Sequence, residues 1–233
     1  MKVVILAGGF GTRLAELTHS IPKPMVPIGD KPILLHIINY YQKYGINDFI
    51  VAGGYKIEII ENYFNNLNKN FKIEIINTGV NTMTGGRLKK IKQYLNDDNF
   101  FLTYGDGLCN VDIGELFAFH KKHQKLVTVT AVRPPARFGA LHINDDSIVE
   151  KFREKSQLDE GWINGGYFVM NKKFINFIDN DSTILEREPL EYLTTKKELL
   201  AFKHYGFWQC MDHLTDKKYL EKLYNSNSAP WQS

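Results

Sequence analysis

Hydrophobic residues in the first half of the chain follow two alternating patterns. Short apolar runs at Val3–Ala7 and at residues 48–52, 71–76 and 100–104 predict strands that are buried on both faces. The stretches 32–44, 57–67 and 85–95 have apolar residues at helical spacing and predict helices. Strands that alternate with helices in this way indicate an α/β fold with a doubly wound, Rossmann-like, mostly parallel mixed sheet.

The second half of the chain keeps the strands but has fewer helices. Residues 127–133, 140–143 and 166–170 are strand-like, and residues 112–123 and 216–225 give the clearer helical patterns. The sequence contains no long linker rich in glycine, serine or proline, and no internal repeat. We therefore expect a single domain over residues 1–233.

Composition narrows the class of protein. The chain of 233 residues is 43% apolar and 24% charged, and its net charge of +3 is too small to suggest a nucleic-acid partner. The basic run at residues 87–92 is typical of a solvated helix face. The two cysteines match no metal or redox spacing, and no apolar run approaches the length of a signal peptide or a membrane span. We expect a cytoplasmic protein with reduced thiols and no membrane partner.

A glycine loop follows the first predicted strand. Gly8, Gly9 and Gly11 allow the backbone N–H groups to approach an anion closely, and Arg13 adds a guanidinium suited to phosphate. Lys23 lies between two prolines, which stiffen the backbone around it. The loop is neither a P-loop nor the Rossmann fingerprint. Taken separately, these features also fit a tight turn with a surface arginine and an ordinary loop lysine.

Two aspartates are candidates for holding a metal ion. Asp106 follows the strand predicted at residues 100–104, and ligands of open α/β sheets bind at the carboxyl ends of strands. A carboxylate there suits Mg²⁺ bound to a nucleotide, although Asp-Gly is also a common turn pair. From the residues alone, Asp212 is more typical of a helix N-cap.

The segments Leu-Ala-Gly-Gly-Phe-Gly-Thr-Arg-Leu at residues 6–14 and Pro-Lys-Pro at residues 22–24 together resemble the sugar-nucleotide pyrophosphorylase family of nucleotidyltransferases. The resemblance implies that the loop surrounds a nucleoside triphosphate and that residues 1–125 form the nucleotide-binding half. It also implies catalytic roles for Arg13, Lys23 and Asp106, and a metal site at Asp106 and Asp212 that holds Mg²⁺. The nucleotide-binding residues implied are Leu6, Ala7, Gly8, Gly9, Gly11, Thr12, Arg13, Lys23, Thr84, Gly85, Arg87, Gly105 and Asp106.

Within the family, the chain is most similar to the cytidylyltransferases that act on glucose 1-phosphate. The similarity includes the stretches 83–89, 101–107, 137–141, 163–166 and 206–209. Thr84 to Arg87 favours CTP over UTP or dTTP, although Thr84 also fits a helix cap. The reaction implied is attack by the acceptor phosphate on the α-phosphorus of CTP, with release of pyrophosphate. No general base is needed because the attacking phosphate is already anionic.

The resemblance places the acceptor in the half formed by residues 126–233. The residues implied are Tyr104, Arg137, Gly139, Glu154, Lys155, Asn164, Gly165 and Trp208, of which Glu154 and Lys155 by themselves would be ordinary surface charges. The chain departs from the family pattern at Ala136, Ser156, Tyr205 and Cys210. The segment at residues 65–76 is shorter than in the family, where it contributes to subunit contacts, so a homo-oligomer is possible but not implied. The resemblance also permits a non-sugar acceptor. The composition would suit a low-GC bacterium, and capsule biosynthesis in such organisms includes a related cytidylyltransferase that acts on L-glutamine phosphate.

Two alternatives to a CTP-dependent enzyme fit the same motifs. The first keeps the chemistry but uses UTP or dTTP. The second is an inactive nucleotide-sensing paralogue, which would be expected to lack one of the charged residues. Arg13, Lys23, Asp106 and Asp212 are all present, which favours an enzyme.

Overall fold

The computed structural model describes residues 1–134, 139–153 and 161–232. Its strands are β1 Val3–Ala7, β2 Pro27–Ile28, β3 Lys31–Pro32, β4 Asp48–Gly53, β5 Lys72–Asn77, β6 Asn99–Tyr104, β7 Gly107–Cys109, β8 Val127–Val132, β9 Ala140–Ile143, β10 Val149–Arg153, β11 Ile163–Asn171, β12 Leu199–Lys203 and β13 Trp208–Cys210. Its α-helices are α1 Ala15–Thr18, α2 Ile33–Gln42, α3 Ile57–Asn66, α4 Thr84–Lys90, α5 Ile113–His123, α6 Glu188–Thr195 and α7 Leu214–Asn225.

One seven-stranded sheet forms the centre of the molecule, in the order β12-β8-β11-β6-β1-β4-β5. β1 is parallel to β4 and β6, β4 is parallel to β5, and β8 is parallel to β12. β11 is antiparallel to both of its neighbours, β6 and β8. The prediction of an α/β fold with a mostly parallel mixed sheet is therefore confirmed, and the sheet takes strands from both halves of the sequence.

The strand order reverses beside β1. The chain leaves β1 for β4 and β5 on one side and then returns to β6 on the other side of β1. Loops that leave two neighbouring strands in opposite directions open a crevice at the carboxyl ends of those strands. The glycine loop after β1 and Asp106 after β6 both lie at this crevice.

Helices cover both faces of the sheet because the central strands are buried on both faces. Along β1, Val3 and Ile5 pack into one apolar cluster, and Val4 and Leu6 pack into another. The first cluster includes residues of α2, α3, α5 and α7, and the second includes residues of α4 and α6. This arrangement explains the continuous apolar run at the start of the sequence.

The C-terminal segment is anchored to α2 through a buried histidine. The indole N–H of Trp231 donates to His36 Nδ1 over 3.3 Å, and His36 Nε2 donates to the Ile28 carbonyl over 2.9 Å. Both side chains are 2% exposed. Burial lowers the pKa of His36, so the ring is neutral and can accept the indole proton.

Several elements differ from the sequence prediction. The helix expected over residues 85–95 ends at Lys90 and is followed by a 3-10 turn, Lys92–Tyr94. α6, β12 and the short antiparallel pair β7–β13 were not predicted. In the described part of the chain, no helix combines the length and apolarity needed to cross a bilayer.

Candidate active site

The loop after β1 turns sharply at Gly11. Gly11 has φ +66°, a left-handed conformation that favours glycine, and a Cβ built there would lie 3.0 Å from both Thr18 Cγ2 and Lys23 Cβ. The Thr18 hydroxyl donates to the Gly11 carbonyl over 3.0 Å. A 3-10 turn, Thr12–Leu14, follows and presents Arg13 to solvent. The local sequence therefore places the guanidinium of Arg13 at the edge of the crevice.

Arg87 supports the glycine loop from the interior of the protein. Its side chain is buried, at 3% exposure, which corrects the expectation that residues 87–92 form a solvated face throughout; Lys89, Lys90 and Lys92 remain exposed. The guanidinium donates to Thr78 Oγ1 and to the backbone carbonyls of Gly8, Gly53, Gly79 and Val80, at 2.7 to 3.1 Å. Burial lowers the pKa of this group. Arg87, predicted to bind the nucleotide, thus also holds the backbone of the glycine loop.

Lys23 lies between two carboxylates at the mouth of the crevice. Its Nζ is 2.5 Å from Asp106 Oδ2 and 2.7 Å from Asp212 Oδ1. Burial by itself lowers the pKa of Lys23, but the charges and hydrogen bonds of Asp106 and Asp212 outweigh it and raise the pKa above its ordinary value. The lysine is therefore a permanent cation, held by the 3-10 turn Lys23–Met25 between its flanking prolines.

Arg13 joins the same group through Asp212. Arg13 NH1 lies 2.6 Å from Asp212 Oδ2. Burial of Asp212 raises its pKa, but Lys23 and Arg13 together bring the pKa below the usual range. The carboxylate of Asp212 is therefore ionised at neutral pH.

The expectation that Asp212 caps a helix is wrong. The N-cap of α7 is the next residue, His213, and the helix begins at Leu214. Asp216 accepts hydrogen bonds from the backbone N–H groups of Asp212 and His213, at 3.0 and 2.8 Å. Because Asp216 satisfies these helix-start donors, the carboxylate of Asp212 can reach Lys23 and Arg13 instead.

Asp106 and Asp212 have the chemistry to bind a divalent metal ion. Their carboxylates both accept hydrogen bonds from the ammonium group of Lys23, so a positive charge lies between them in this structure. Mg²⁺ bound with a nucleotide uses one or two carboxylates together with phosphate oxygens. Among the described residues, no three His, Cys, Asp or Glu side chains form a metal-binding cluster. The pair therefore fits a metal that arrives with phosphate ligands rather than one held by protein alone.

A cavity of about 410 Å³ opens beside the glycine loop. It is lined by most of the predicted nucleotide-binding residues: Leu6, Ala7, Gly8, Gly9, Gly11, Thr12, Arg13, Lys23, Thr84, Arg87, Gly105 and Asp106. Gly85 lies outside this lining; its N–H donates to the Thr183 carbonyl over 3.0 Å, and a Cβ on it would lie 2.8 Å from that oxygen. The structure thus gives Gly85 a packing position rather than a ligand-facing one.

Thr84 does not cap α4, because Met83 holds the N-cap position. The Thr84 hydroxyl donates to Glu186 Oε2 over 2.7 Å and accepts from the Leu185 N–H over 2.9 Å. Glu186 also lines the cavity, as do Thr82 and Met83. The sequence analysis missed these three residues. The only local signal for Glu186 is an acidic residue directly after the buried Leu185 and shortly before a helix.

A second, larger cavity of about 1140 Å³ adjoins the first. Of the predicted acceptor residues, it is lined by Tyr104, Asn164 and Trp208, and it shares Arg13, Tyr104 and Asp106 with the first cavity. Gly139 and Gly165 are not among its lining residues; the Gly165 carbonyl instead accepts the indole N–H of Trp208 over 2.7 Å. The predicted acceptor residues Arg137, Glu154 and Lys155 lie outside the described residues.

Cys210 lies on the wall of the second cavity, next to Asp212. Its Sγ is 3.7 Å from Asp212 Oδ2, and burial raises the pKa of the thiol to about 12. The side chain is therefore a neutral thiol and not a nucleophile. Cys109 is also a free thiol and is buried.

Comparisons with known proteins agree with this geometry. A family model described as nucleotidyl transferase matches residues 2–209. The chain is 48% identical to the glucose-1-phosphate cytidylyltransferase of Salmonella typhimurium and 39% identical to a probable glucose-1-phosphate cytidylyltransferase of Bacillus subtilis, in each case over 100% of this chain and 99% of the relative. The crystal structure of HddC from Yersinia pseudotuberculosis complexed with GMP-PN superimposes with a TM-score of 0.76, at 28% identity, over 96% of this chain and 99% of that one. The glycine loop, the paired aspartates and these full-length matches lead to one conclusion: the chain is an enzyme that belongs to the nucleotidyl transferase family.

Proposed function

We propose that this enzyme transfers CMP from CTP to the phosphate group of a sugar 1-phosphate, with glucose 1-phosphate as the acceptor, and releases pyrophosphate. The observation that carries the proposal is the group of charges at the opening shared by the two cavities. Arg13 and Asp106 line both cavities, and Lys23 and Asp212 connect them. A reaction between two phosphate-bearing substrates needs such a group where the substrates meet.

The two cavities divide the substrates between them. The smaller cavity, beside the glycine loop, receives the nucleoside triphosphate, since loop N–H groups and the cations of Arg13 and Lys23 favour anionic oxygens. The larger cavity, lined by Asn164 and Trp208, receives the acceptor. An apolar ring and a side-chain amide suit a sugar, which presents both C–H faces and hydroxyl groups.

The chemical step is an in-line displacement at phosphorus. An oxygen of the acceptor phosphate forms a bond to the α-phosphorus of CTP. The bond between the α-phosphorus and the oxygen that bridges to the β-phosphate breaks, and pyrophosphate leaves with that electron pair. The attacking oxygen is already anionic, so Arg13 and Lys23 act by orienting the phosphates and balancing their charge rather than by moving protons.

Asp106 and Asp212 would hold a divalent metal ion, for which we propose Mg²⁺. When bound, the ion supplies charge neutralisation for the triphosphate and for the leaving pyrophosphate. Because both carboxylates contact Lys23 in this structure, the lysine is well placed to keep them together.

The choice of CTP rests on the relatives. The chain is 48% and 39% identical, over its full length, to proteins named as cytidylyltransferases. Competition among nucleotides separates this proposal from the alternative of UTP or dTTP. If UTP or dTTP supports faster turnover than CTP at equal concentration, the base assignment is wrong.

A pyrophosphate-release assay with MgCl₂ tests the function directly. CTP, UTP, dTTP and GTP are each combined with glucose 1-phosphate, with other sugar 1-phosphates and with L-glutamine phosphate. We expect turnover with CTP and glucose 1-phosphate to exceed every other combination. Turnover restricted to L-glutamine phosphate would keep the cytidylyl transfer and reject the sugar acceptor. No turnover with any nucleotide would reject the reaction.

A further inference from the structure

Glu186 makes two hydrogen bonds that connect separate parts of the site. Its Oε2 accepts from the Thr84 hydroxyl over 2.7 Å, and its Oε1 accepts from the Tyr104 hydroxyl. Thr84 begins α4, and Tyr104 ends β6. The residue has no part in the reaction outlined above.

The network continues from Tyr104 to the floor of the acceptor cavity. The Tyr104 hydroxyl accepts from Asn164 Nδ2 over 3.1 Å, and Asn164 Oδ1 accepts from the Gly166 N–H over 2.8 Å. At the other end, the Thr84 hydroxyl accepts from a backbone N–H over 2.9 Å. Each hydroxyl therefore has one proton to donate, and each donates it to Glu186.

Only an ionised carboxylate can serve this arrangement fully. It offers one acceptor oxygen to each hydroxyl, whereas the amide of glutamine offers a single acceptor oxygen and a donor. The Tyr104 hydroxyl accepts from Asn164 and donates to Glu186, so the direction of its hydrogen bond to the carboxylate is fixed by its two partners.

The network also crosses the wall between the cavities. Thr84 and Glu186 line the smaller cavity, Asn164 lines the larger one, and Tyr104 lines both. A change in the position of the Thr84 hydroxyl therefore reaches Asn164 through two hydrogen-bonded side chains. Contiguous hydrogen bonds of this kind can transmit energetic coupling between two sites. A double-mutant cycle measures that coupling.

Building on the proposed function, we propose that Glu186 is a positioning residue that couples the nucleotide cavity to the acceptor cavity. A nucleotide seated against Thr84 fixes the carboxylate of Glu186, and the carboxylate fixes the Tyr104 hydroxyl and the Asn164 amide that receive the acceptor. The enzyme would then hold its acceptor most firmly when the nucleotide is already in place.

A triple-mutant comparison tests this coupling. Thr84→Val and Tyr104→Phe each remove one hydroxyl group and nearly conserve the shape of the side chain. The two substitutions are made singly and together, first in the wild-type protein and then in the Glu186→Gln variant. The measurement is kcat/KM for the sugar 1-phosphate at saturating CTP. We expect the two changes to be non-additive by about 3- to 30-fold when Glu186 is present, since they share one partner. In the Glu186→Gln background we expect additivity to within about twofold.

Further readouts separate coupling from misfolding. Thermal unfolding and CTP binding by calorimetry check that each variant is folded, and Glu191→Gln, an exposed residue of α6, is the matched control. Glu186→Gln should raise the acceptor KM more than the CTP KM, and Glu186→Asp should recover part of the effect. Additive effects in an active wild-type background would overturn the coupling alone. An inactive wild-type enzyme would instead contradict the proposed function.

Discussion

At the scale of single residues, Lys23 shows how a charge can prepare a site before any ligand arrives. Asp106 and Asp212 would repel each other if the ammonium group were not between them. The lysine thus performs part of the role that we assign to a metal ion. Changing one carboxylate should therefore affect chemistry far more than folding.

We expect Asp106→Asn to reduce turnover by roughly a hundredfold or more, because the amide is a poor magnesium ligand and leaves Asp212 as the remaining carboxylate. The melting temperature should change by only a few degrees, since the side chain is partly exposed at the cavity. Pyrophosphate release and thermal unfolding measure the two effects. Asp145→Asn, on an exposed turn, is the control. Near-normal turnover of the Asp106 variant would remove Asp106 from the metal site.

Substitution of Arg87 should instead affect folding stability more than chemistry. In Arg87→Met, the backbone carbonyls of Gly8, Gly53, Gly79 and Val80 lose a charged donor, and so does the Thr78 hydroxyl oxygen. We expect the free energy of unfolding to fall by about 3 kcal/mol or more, as measured by urea denaturation. Lys89→Met, an exposed change on the same helix, should have less than about a quarter of that effect. Equal stability of both variants would show that the loop does not depend on Arg87.

Arg13, Lys23 and Asp106 could be predicted from motifs because the segments that carry them are local. Glu186 could not be found in this way. Its partners are Thr84 and Tyr104, which are 102 and 82 positions away in the sequence. No local pattern records a hydrogen bond across that separation, so the residue becomes visible only when the fold brings the three side chains together.

At the scale of elements, α4 depends on two glycines. A Cβ on Gly86 would lie 2.6 Å from the backbone of Asp181, and Gly85 approaches Thr183 in the same way. The helix therefore packs directly against the backbone of the segment that leads to Glu186. This close approach, rather than ligand contact, explains the Gly-Gly pair in Thr84–Lys90.

Gly86→Ala tests this packing. Alanine is favoured over glycine in a helix by about 1 kcal/mol, so propensity alone predicts stabilisation. We expect instead a loss of about 1 to 3 kcal/mol in the free energy of unfolding, because the added methyl group meets rigid backbone. Gly114→Ala in α5 is the control, since its Cβ meets only the Asp112 carboxylate, at 3.2 Å. Stabilisation of both variants would show that α4 can move away from residue 181.

The elements differ in how well the sequence predicts them. The bounds of β1 were predicted correctly because the strand is buried on both faces and contains no polar residue. β12 was missed because it lies at the edge of the described sheet, beside β8, and its side chains are partly exposed. β7 and β13 are three residues long and pair across about a hundred positions. That pairing places Asp212 near Asp106, which no local pattern could show.

At the scale of the whole molecule, buried neutral histidines connect distant elements. His36 joins the C-terminal segment to α2, and His120 joins α5 to β8 through Thr128. Burial lowers the pKa of both rings, that of His120 to about 4. The unfolded chain therefore binds protons at a higher pH than the folded protein does, and the stability from these rings is lost as pH falls.

We expect the free energy of unfolding to be constant between about pH 7 and pH 8 and to decrease steadily from about pH 6.5 towards pH 4. Replacing His36 with glutamine should reduce this pH dependence, because the amide does not titrate. Urea denaturation at a series of pH values gives the slopes. His19→Gln, at an exposed position, is the matched control. If the His36 variant keeps the wild-type slope, another group is responsible for the acid sensitivity.

The buried position of Arg87 also limits how the enzyme can change. One guanidinium secures four backbone carbonyls from three separate segments of the chain and forms part of the cavity wall. A substitution there alters folding before it can alter ligand preference, so adaptation to a new nucleotide has little room at this position. Laboratory evolution of a changed base preference should therefore accumulate substitutions at neighbours such as Met83, which is 46% exposed, while Arg87 stays invariant.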